Sequence, residues 1–380
     1  MIERIFEAPD QSFFLMGPRG SGKTTWLRAV FPDAHWIDLL AEDIYQRLLA
    51  NPGFFADELR PLQNGSWVVV DEIQRLPNLL NEVHRFVEEK RLRFVLCGSS
   101  ARKLKRAGVN LLAGRALRRF MHPFVPEELG EHFDLDEALR VGTLPIVRDS
   151  AAGNEVLQAY AQLYLKEEIQ AEALVRNLGG FARFLPLAAL FHGQTINVTN
   201  IAREAEVART TVSGYLDILE ETLLCFRLPA YEAKARVRER KLPKWYWCDP
   251  GIVRAMKRAT GDVLAEERGA LFEGMIAQLL RAYKDYRGIF DEMYYWSTTG
   301  GSRTKVDFLL VQGDKMVAVE VKSGRNFTEA WCKGLRAISQ VRPMKRRIVV
   351  YPRGPVLRTK DGIDVLPFEH FARVLAQNSF

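Results

Sequence analysis

Through the first third of the chain, short apolar runs alternate with segments whose apolar residues recur at helical spacing. Phe13-Phe14-Leu15-Met16, His35-Trp36-Ile37-Asp38-Leu39, Trp67-Val68-Val69-Val70-Asp71-Glu72 and Arg93-Phe94-Val95-Leu96-Cys97 read as strands buried on both faces. Arg119-Phe120-Met121-His122-Pro123-Phe124 reads as a fifth. This order predicts a parallel sheet covered by helices, an α/β domain over residues 1–126. Residues 127–192 are helical in pattern, broken by Gly142, Pro145 and the Gly153-Asn154 turn.

Farther on, Thr199–Val207 and Ala208–Leu216 read as two helices joined by a tight turn. Ile201, Ala202, Val212, Leu216 and Leu219 face their core, and Val207 fills the turn. Arg236-Val237-Arg238-Glu239-Arg240-Lys241 alternates like a basic hairpin, which makes residues 193–250 a winged-helix pattern. In the last segment, 251–380, Lys305–Val311 and Met316–Lys322 read as two strands of a hairpin across Gln312-Gly313-Asp314-Lys315.

Candidate chemistry begins at Gly17-Pro18-Arg19-Gly20-Ser21-Gly22-Lys23-Thr24, which fits G-x-x-x-x-G-K-[ST] between the first strand and a helix starting Thr24-Thr25. Its glycines let successive N–H groups curl toward phosphate oxygens at a helix N-terminus. Lys23 would reach the β- and γ-phosphates of ATP, and the Thr24 hydroxyl would ligate Mg²⁺. Asp71-Glu72 ends the third strand, where Asp71 would hold Mg²⁺ through water and Glu72 would polarise the attacking water. Ser99, after the fourth strand, is placed either to sense the γ-phosphate or to cap a helix.

A second set lies in the C-terminal hairpin. Period-two geometry puts Glu320 and Lys322 on one face, with Asp307 able to converge from the first strand. Two carboxylates of this kind would bind a divalent ion, Mg²⁺ or Mn²⁺, and the lysine would stabilise hydroxide attacking a phosphodiester. A surface salt bridge between Glu320 and Lys322 is the plainer alternative, though it leaves Asp307 unexplained.

Charge changes the picture modestly. The net charge is +7, and two stretches lack acids: Arg91 to Pro126, with Arg102, Lys103, Lys105, Arg106, Arg115, Arg118 and Arg119, and Ala330 to Lys360, densest at Lys345-Arg346-Arg347. An anionic partner such as DNA follows, bound through phosphates with little sequence preference. Arg209, Thr210, Thr211 and Ser213 would meet it at the start of the second helix of the pair. Cys97, Cys225, Cys248 and Cys332 have neither metal-ligand nor disulfide spacing. With no signal-peptide pattern at Met1–Glu7 and no membrane-length apolar run, a cytoplasmic protein is expected.

The phosphate loop, Val70-Asp71-Glu72-Ile73-Gln74, Cys97-Gly98-Ser99-Ser100 and Leu112-Ala113-Gly114-Arg115 together resemble a prokaryotic family of AAA+ ATPases. The resemblance implies an ATPase core, a helical lid and winged helix, then a domain similar to restriction endonucleases with a PD-(D/E)xK core. It covers nearly the whole chain, with Val306 in place of the core's proline. It implies that Arg115 is a finger completing a neighbouring subunit's site in a homo-oligomer, with Arg118 and Arg119 in reserve. Pairing of Arg115 with a local carboxylate or a DNA phosphate stays open. It further implies that Glu273 is an additional helical acid at the metal site. The resulting expectation is an ATPase whose turnover controls DNA binding and a nuclease-like domain. The alternatives are a non-cleaving, ATP-switched DNA-remodelling protein and a signalling ATPase whose winged helix contacts protein.

Overall fold

The computed structural model describes residues 2–100, 114–161, 177–232, 242–298 and 304–378. The basic cluster at residues 102–106 and the expected wing at residues 236–241 therefore lie outside the described residues. The chain divides into two compact units, residues 3–122 with 221–224, and the remainder. No helix among the described residues is long and apolar enough to cross a membrane.

In the first unit, strands β1 (Phe13–Met16), β2 (His35–Asp38), β3 (Trp67–Asp71), β4 (Arg93–Gly98) and β5 (Leu117–Phe120) form one sheet in the order β2-β3-β4-β1-β5. Every pairing in it is parallel. The last strand starts two residues earlier than its apolar pattern suggests, because Leu117 pairs with Phe13 and the chain leaves the sheet at Met121. Alternate side chains supply both covers. Phe14 and Met16 join Ile37, Phe55, Val70 and Phe94 on one face. Phe13 packs with Phe31 and Trp67 on the other. Burial of this kind contributes about 25 cal/mol per Å² of apolar surface, the main favourable term for such a sheet. The first unit is an α/β fold built on one parallel sheet.

The second unit holds two sheets. The helices Val198–Glu204 and Arg209–Glu221 flank a turn in which Glu206 takes a left-handed φ of 54°. Val207 closes that turn so tightly that a Cβ at Gly180 would lie 2.6 Å from its Cγ1. The strands β6 (Gln194–Thr195), β7 (Cys225–Leu228) and β8 (Lys244–Trp247) make an antiparallel sheet ordered β6-β8-β7. Arg209, Thr210 and Ser213 are exposed at the start of the second helix, and Thr211 is half-buried.

The C-terminal sheet is mixed, with β9 (Glu292–Ser297), β10 (Lys305–Gln312), β11 (Lys315–Val321), β12 (Arg346–Tyr351), β13 (Leu357–Arg358) and β14 (Asp364–Pro367) in the order β13-β14-β12-β11-β10-β9. Strands β10 and β11 form the expected hairpin, and Gly313 takes the positive φ of 58° that its turn needs. The β9–β10 register slips between Val306 and Leu309. Val306 and Leu309 therefore reach the same core although three residues apart. Helices before and after the helix pair close on this sheet's long neighbour, Ala265–Arg287. Gln278 on that helix donates to Thr143 Oγ1 at 3.0 Å, and Asp249 accepts from Thr143 N at 2.7 Å. The segment 127–192, read as a lid, is thus partly a packing layer of the second unit.

Candidate functional site

The phosphate loop runs from β1 into the helix Lys23–Val30. Gly20 and Gly22 carry φ of 76° and 84°, a region that a side chain would strain. Gly17 is required for a different reason. A Cβ there would sit 2.5 Å from the carbonyl oxygen of Met121. Lys23 is buried and donates to the Gly17 and Pro18 carbonyl oxygens at 2.8 and 3.1 Å. Ser21 Oγ is buried with no hydrogen-bond partner. An orphaned hydroxyl and an ammonium folded back on its own loop fit a phosphate that would take both. Arg19 and Thr25 stand exposed at the rim.

Across the sheet, β3 brings Asp71 to this loop, and Thr24 Oγ1 donates to Asp71 Oδ2 at 2.7 Å. That pair fits Mg²⁺ through its oxygens, the hard donors such an ion takes. Glu72 follows in left-handed backbone, φ 57°, and accepts from Gln74 Nε2. Burial, foremost, and the charge of Asp71 raise the Glu72 pKa, against the lowering pull of Lys23 and Gln74. Gln74 Nε2 also lies 3.3 Å from Ser99 Oγ, which is 3% exposed at the end of β4. The phosphate loop, Asp71, Glu72 and Ser99 therefore come together at the C-terminal ends of the central strands of the first sheet. Gln74 was not singled out from the sequence, although it closes the group.

Arg115 stands just before β5, as expected for its motif, and pairs with Glu88 of the same unit. Both side chains are well exposed, so the pair is worth little and is easily exchanged. Arg118 is exposed and Arg119 donates to the Arg118 carbonyl at 3.1 Å.

In the second unit the expected acids do converge, but with company. Asp307 Oδ2 accepts from Val321 N at 3.0 Å, while its Oδ1 takes Lys305 Nζ at 2.9 Å and Lys244 Nζ at 3.3 Å. Glu273 Oε1 receives Lys244 Nζ at 2.8 Å and the Tyr246 hydroxyl at 2.5 Å. Glu320 pairs with Lys322. Burial favours the neutral form of Asp307, yet Lys244 and Lys305 outweigh it and hold the carboxyl well below the usual range. Glu320 is pushed up, by burial first and by the Asp307 charge second.

In this arrangement Glu273, Asp307 and Glu320, expected as metal ligands, are met by lysines. Three carboxylates balanced by Lys322 alone would leave the negative charge a divalent ion wants; Lys244 and Lys305 remove it. Among the described residues, no group of three or more His, Cys, Asp or Glu could hold a metal ion. Within this set, Glu320 Oε2 is buried without a hydrogen-bond partner. Lys305 was legible in the sequence, two residues from Asp307 and so on its face. Lys244 was not, for it arrives from β8, in a different sheet. The second basic stretch is neutralised in the same way: Arg346 pairs with Asp364, and Arg347 with Asp361.

Residues 9–130 match a family model described as AAA domain. Residues 132–262 and 268–371 match two models described as domains of unknown function, DUF8612 and DUF4143. An uncharacterized protein of Mycobacterium tuberculosis is 27% identical over 365 residues, spanning 93% of this chain and 79% of that protein. An uncharacterized protein of Methanocaldococcus jannaschii is 24% identical over 248 residues, 63% of this chain and 49% of the other. Among solved structures, the Aeropyrum pernix Orc1 protein in complex with DNA is similar at TM-score 0.28 and 16% identity, over 66% of this chain and 87% of that one. A Vibrio cholerae protein is similar at TM-score 0.24 and 12% identity, over 97% of this chain and 96% of that one.

Proposed function

We propose that residues 9–130, which match a family model described as AAA domain, work as a P-loop ATPase, and this chemistry carries the functional reading. We propose that the chain is an ATP-hydrolysing DNA-binding protein, in which nucleotide turnover controls a winged helix at 193–250 and the nuclease-like domain at 251–380. The observation that carries it is the 2.7 Å bond from Thr24 to Asp71 with Glu72 alongside. Gly17, Pro18, Arg19, Gly20, Ser21, Gly22, Lys23, Thr24 and Thr25 bind the phosphates, and Thr24 and Asp71 hold Mg²⁺. When bound there, the ion supplies charge neutralisation to the phosphates. Glu72 polarises water and Ser99 reads the terminal phosphate. Arg115, freed from Glu88, completes the site of a neighbouring subunit in a homo-oligomer.

DNA contact rests on the +7 net charge and on exposed Arg209, Thr210 and Ser213 at the helix pair. The lysine-filled acid set favours the non-cleaving form of this reading, in which the C-terminal domain is a scaffold for branched or broken DNA in the cytoplasm. One assay tests both forms: purified protein with assorted DNAs, ATP and Mg²⁺ or Mn²⁺, scored for binding, strand cleavage and phosphate release. Phosphate release with salt-sensitive binding and intact strands is the expected result. Divalent-dependent cleavage lost in Asp307→Ala would restore the nuclease form. Absence of DNA binding at low salt would leave a signalling ATPase.

A further inference from the structure

Gln74 is buried, 3% exposed. It follows Asp71-Glu72 in a short 3₁₀ turn, Ile73–Arg75, which the left-handed Glu72 initiates. A non-glycine residue in that conformation costs on the order of 1 kcal/mol and persists only where its surroundings hold it. Here Asp71 Oδ1 accepts from Glu72 N at 3.0 Å, and Arg75 N closes on Glu72 O at 2.9 Å. The strained turn throws the Gln74 amide back across the end of β4. Its Nε2 then faces both the Glu72 carboxylate and Ser99 Oγ.

Gly98 supplies the room. A Cβ there would fall 2.2 Å from Gln74 Oε1, so glycine at the end of β4 is the condition for the glutamine's seat. No hydrogen-bond partner meets that Oε1, although it is buried. A buried unmet acceptor costs about 1–3 kcal/mol, which an apolar side chain of the same size would avoid. The donor end must therefore matter. We propose that Gln74 is the positioning residue of the ATPase site, tying the water-activating Glu72 to Ser99 so that the ends of β3 and β4 act as one unit. Its amide donates to Glu72 and Ser99, and it acts through Glu72.

The proposal rests on Glu72 as the water-activating group, and its test separates the two. Gln74→Met keeps length and apolar bulk but removes the donor. Its kcat for ATP hydrolysis should fall on the order of 10- to 100-fold, the loss typical of a mispositioned catalytic group. KM and the affinity for a fluorescent ATP analogue, titrated without turnover, should stay within about twofold, a factor too small to signal lost phosphate binding. Gly98→Ala, which displaces the same amide without touching it chemically, should reproduce the split between kcat and affinity.

The decisive arm adds Gln74→Met to Glu72→Gln. If Gln74 acts through Glu72, the double variant hydrolyses no slower than Glu72→Gln alone. Additive losses, or a fall in analogue affinity parallel to the fall in kcat, would overturn the positioning role. If Glu72→Gln itself turns over like wild type, the assignment of Glu72 fails first and the proposal with it. A slow Glu72→Gln beside an unaffected Gln74→Met sinks the proposal alone.

Discussion

The phosphate loop and the C-terminal acid set handle charge in opposite ways. At the loop, the chain prepares for an anion with groups contiguous in sequence: glycines at φ 76° and 84°, a helix start, and Lys23 resting on its own carbonyls. Its compensation is provisional, since the hydrogen bonds Lys23 would give up go to neutral carbonyl oxygens. In the C-terminal set, Asp307 and Glu273 are closed off by Lys244 and Lys305 from different strands. There the compensation is complete. An ion pair taken out of water is stable only while both partners stay, so opening that set for a metal costs several kcal/mol. The contrast is between weak internal partners at the loop, which a ligand can displace, and strong ones around Asp307 and Glu273, which resist displacement.

The largest expected effects fall on the loop. Lys23→Ala should abolish measurable ATP binding by calorimetry. Glu72→Gln should bind normally and lose about 10²-fold or more in phosphate release, the range of general-base catalysis. Normal binding and turnover by Lys23→Ala would remove the contrast, whereas normal turnover by Glu72→Gln would remove only Glu72 as the water-activating group.

Next is the lysine at the heart of the second set. Lys244→Met takes the buried cation from Glu273 and Asp307, and unfolding in urea should show a loss of about 3–5 kcal/mol. A Mn²⁺-soaked crystal of wild type should give no anomalous peak between Asp307 and Glu320. A peak there, with Lys244 swung away, would turn the closed set into a second ligand-ready site.

Asp249 sharpens the comparison from a third side, because its buried carboxylate is met by backbone N–H groups rather than lysines: Gly251 at 2.8 Å, Thr143 at 2.7 Å and Ile252 at 3.3 Å. Burial raises its pKa to about 6, those bonds notwithstanding. A raised carboxyl stabilises the fold fully below its unfolded value and loses that contribution as pH climbs through the folded one. Wild type compared with Asp249→Asn should therefore lose on the order of 3 kcal/mol between pH 4 and 7 in denaturant titrations. A flat difference would mean that the three N–H groups compensate the charge as fully as Lys244 and Lys305 do elsewhere.

The smallest effect tests the surface. Arg209→Ala should reduce the slope of log affinity against log salt for duplex DNA by about one phosphate contact, about 0.9. Arg346→Ala, already paired with Asp364, should leave it unchanged. Equal effects would mean that paired and unpaired arginines bind alike.

What the sequence by itself determined is what its neighbouring residues dictate. A loop such as Gly17–Thr24 is encoded within eight consecutive positions, because each φ, donor and acceptor depends on the adjacent residues. The β10–β11 hairpin was equally legible, since alternation and Gly313 are local facts. Strand β5 was misjudged by two residues, because Met121 and Phe124 are apolar for burial outside the sheet. Only the tertiary structure decided which charges meet. Lys244 reaches Asp307 across 63 positions, Gln74 reaches Ser99 across 25, and Asp361 and Asp364 come back to Arg347 and Arg346 from beyond the acid-free stretch. Nothing in the periodicity of either partner announces such a pair. Coulomb and hydrogen-bond energies depend on distance in space, and the fold sets that distance after the local pattern has done all it can.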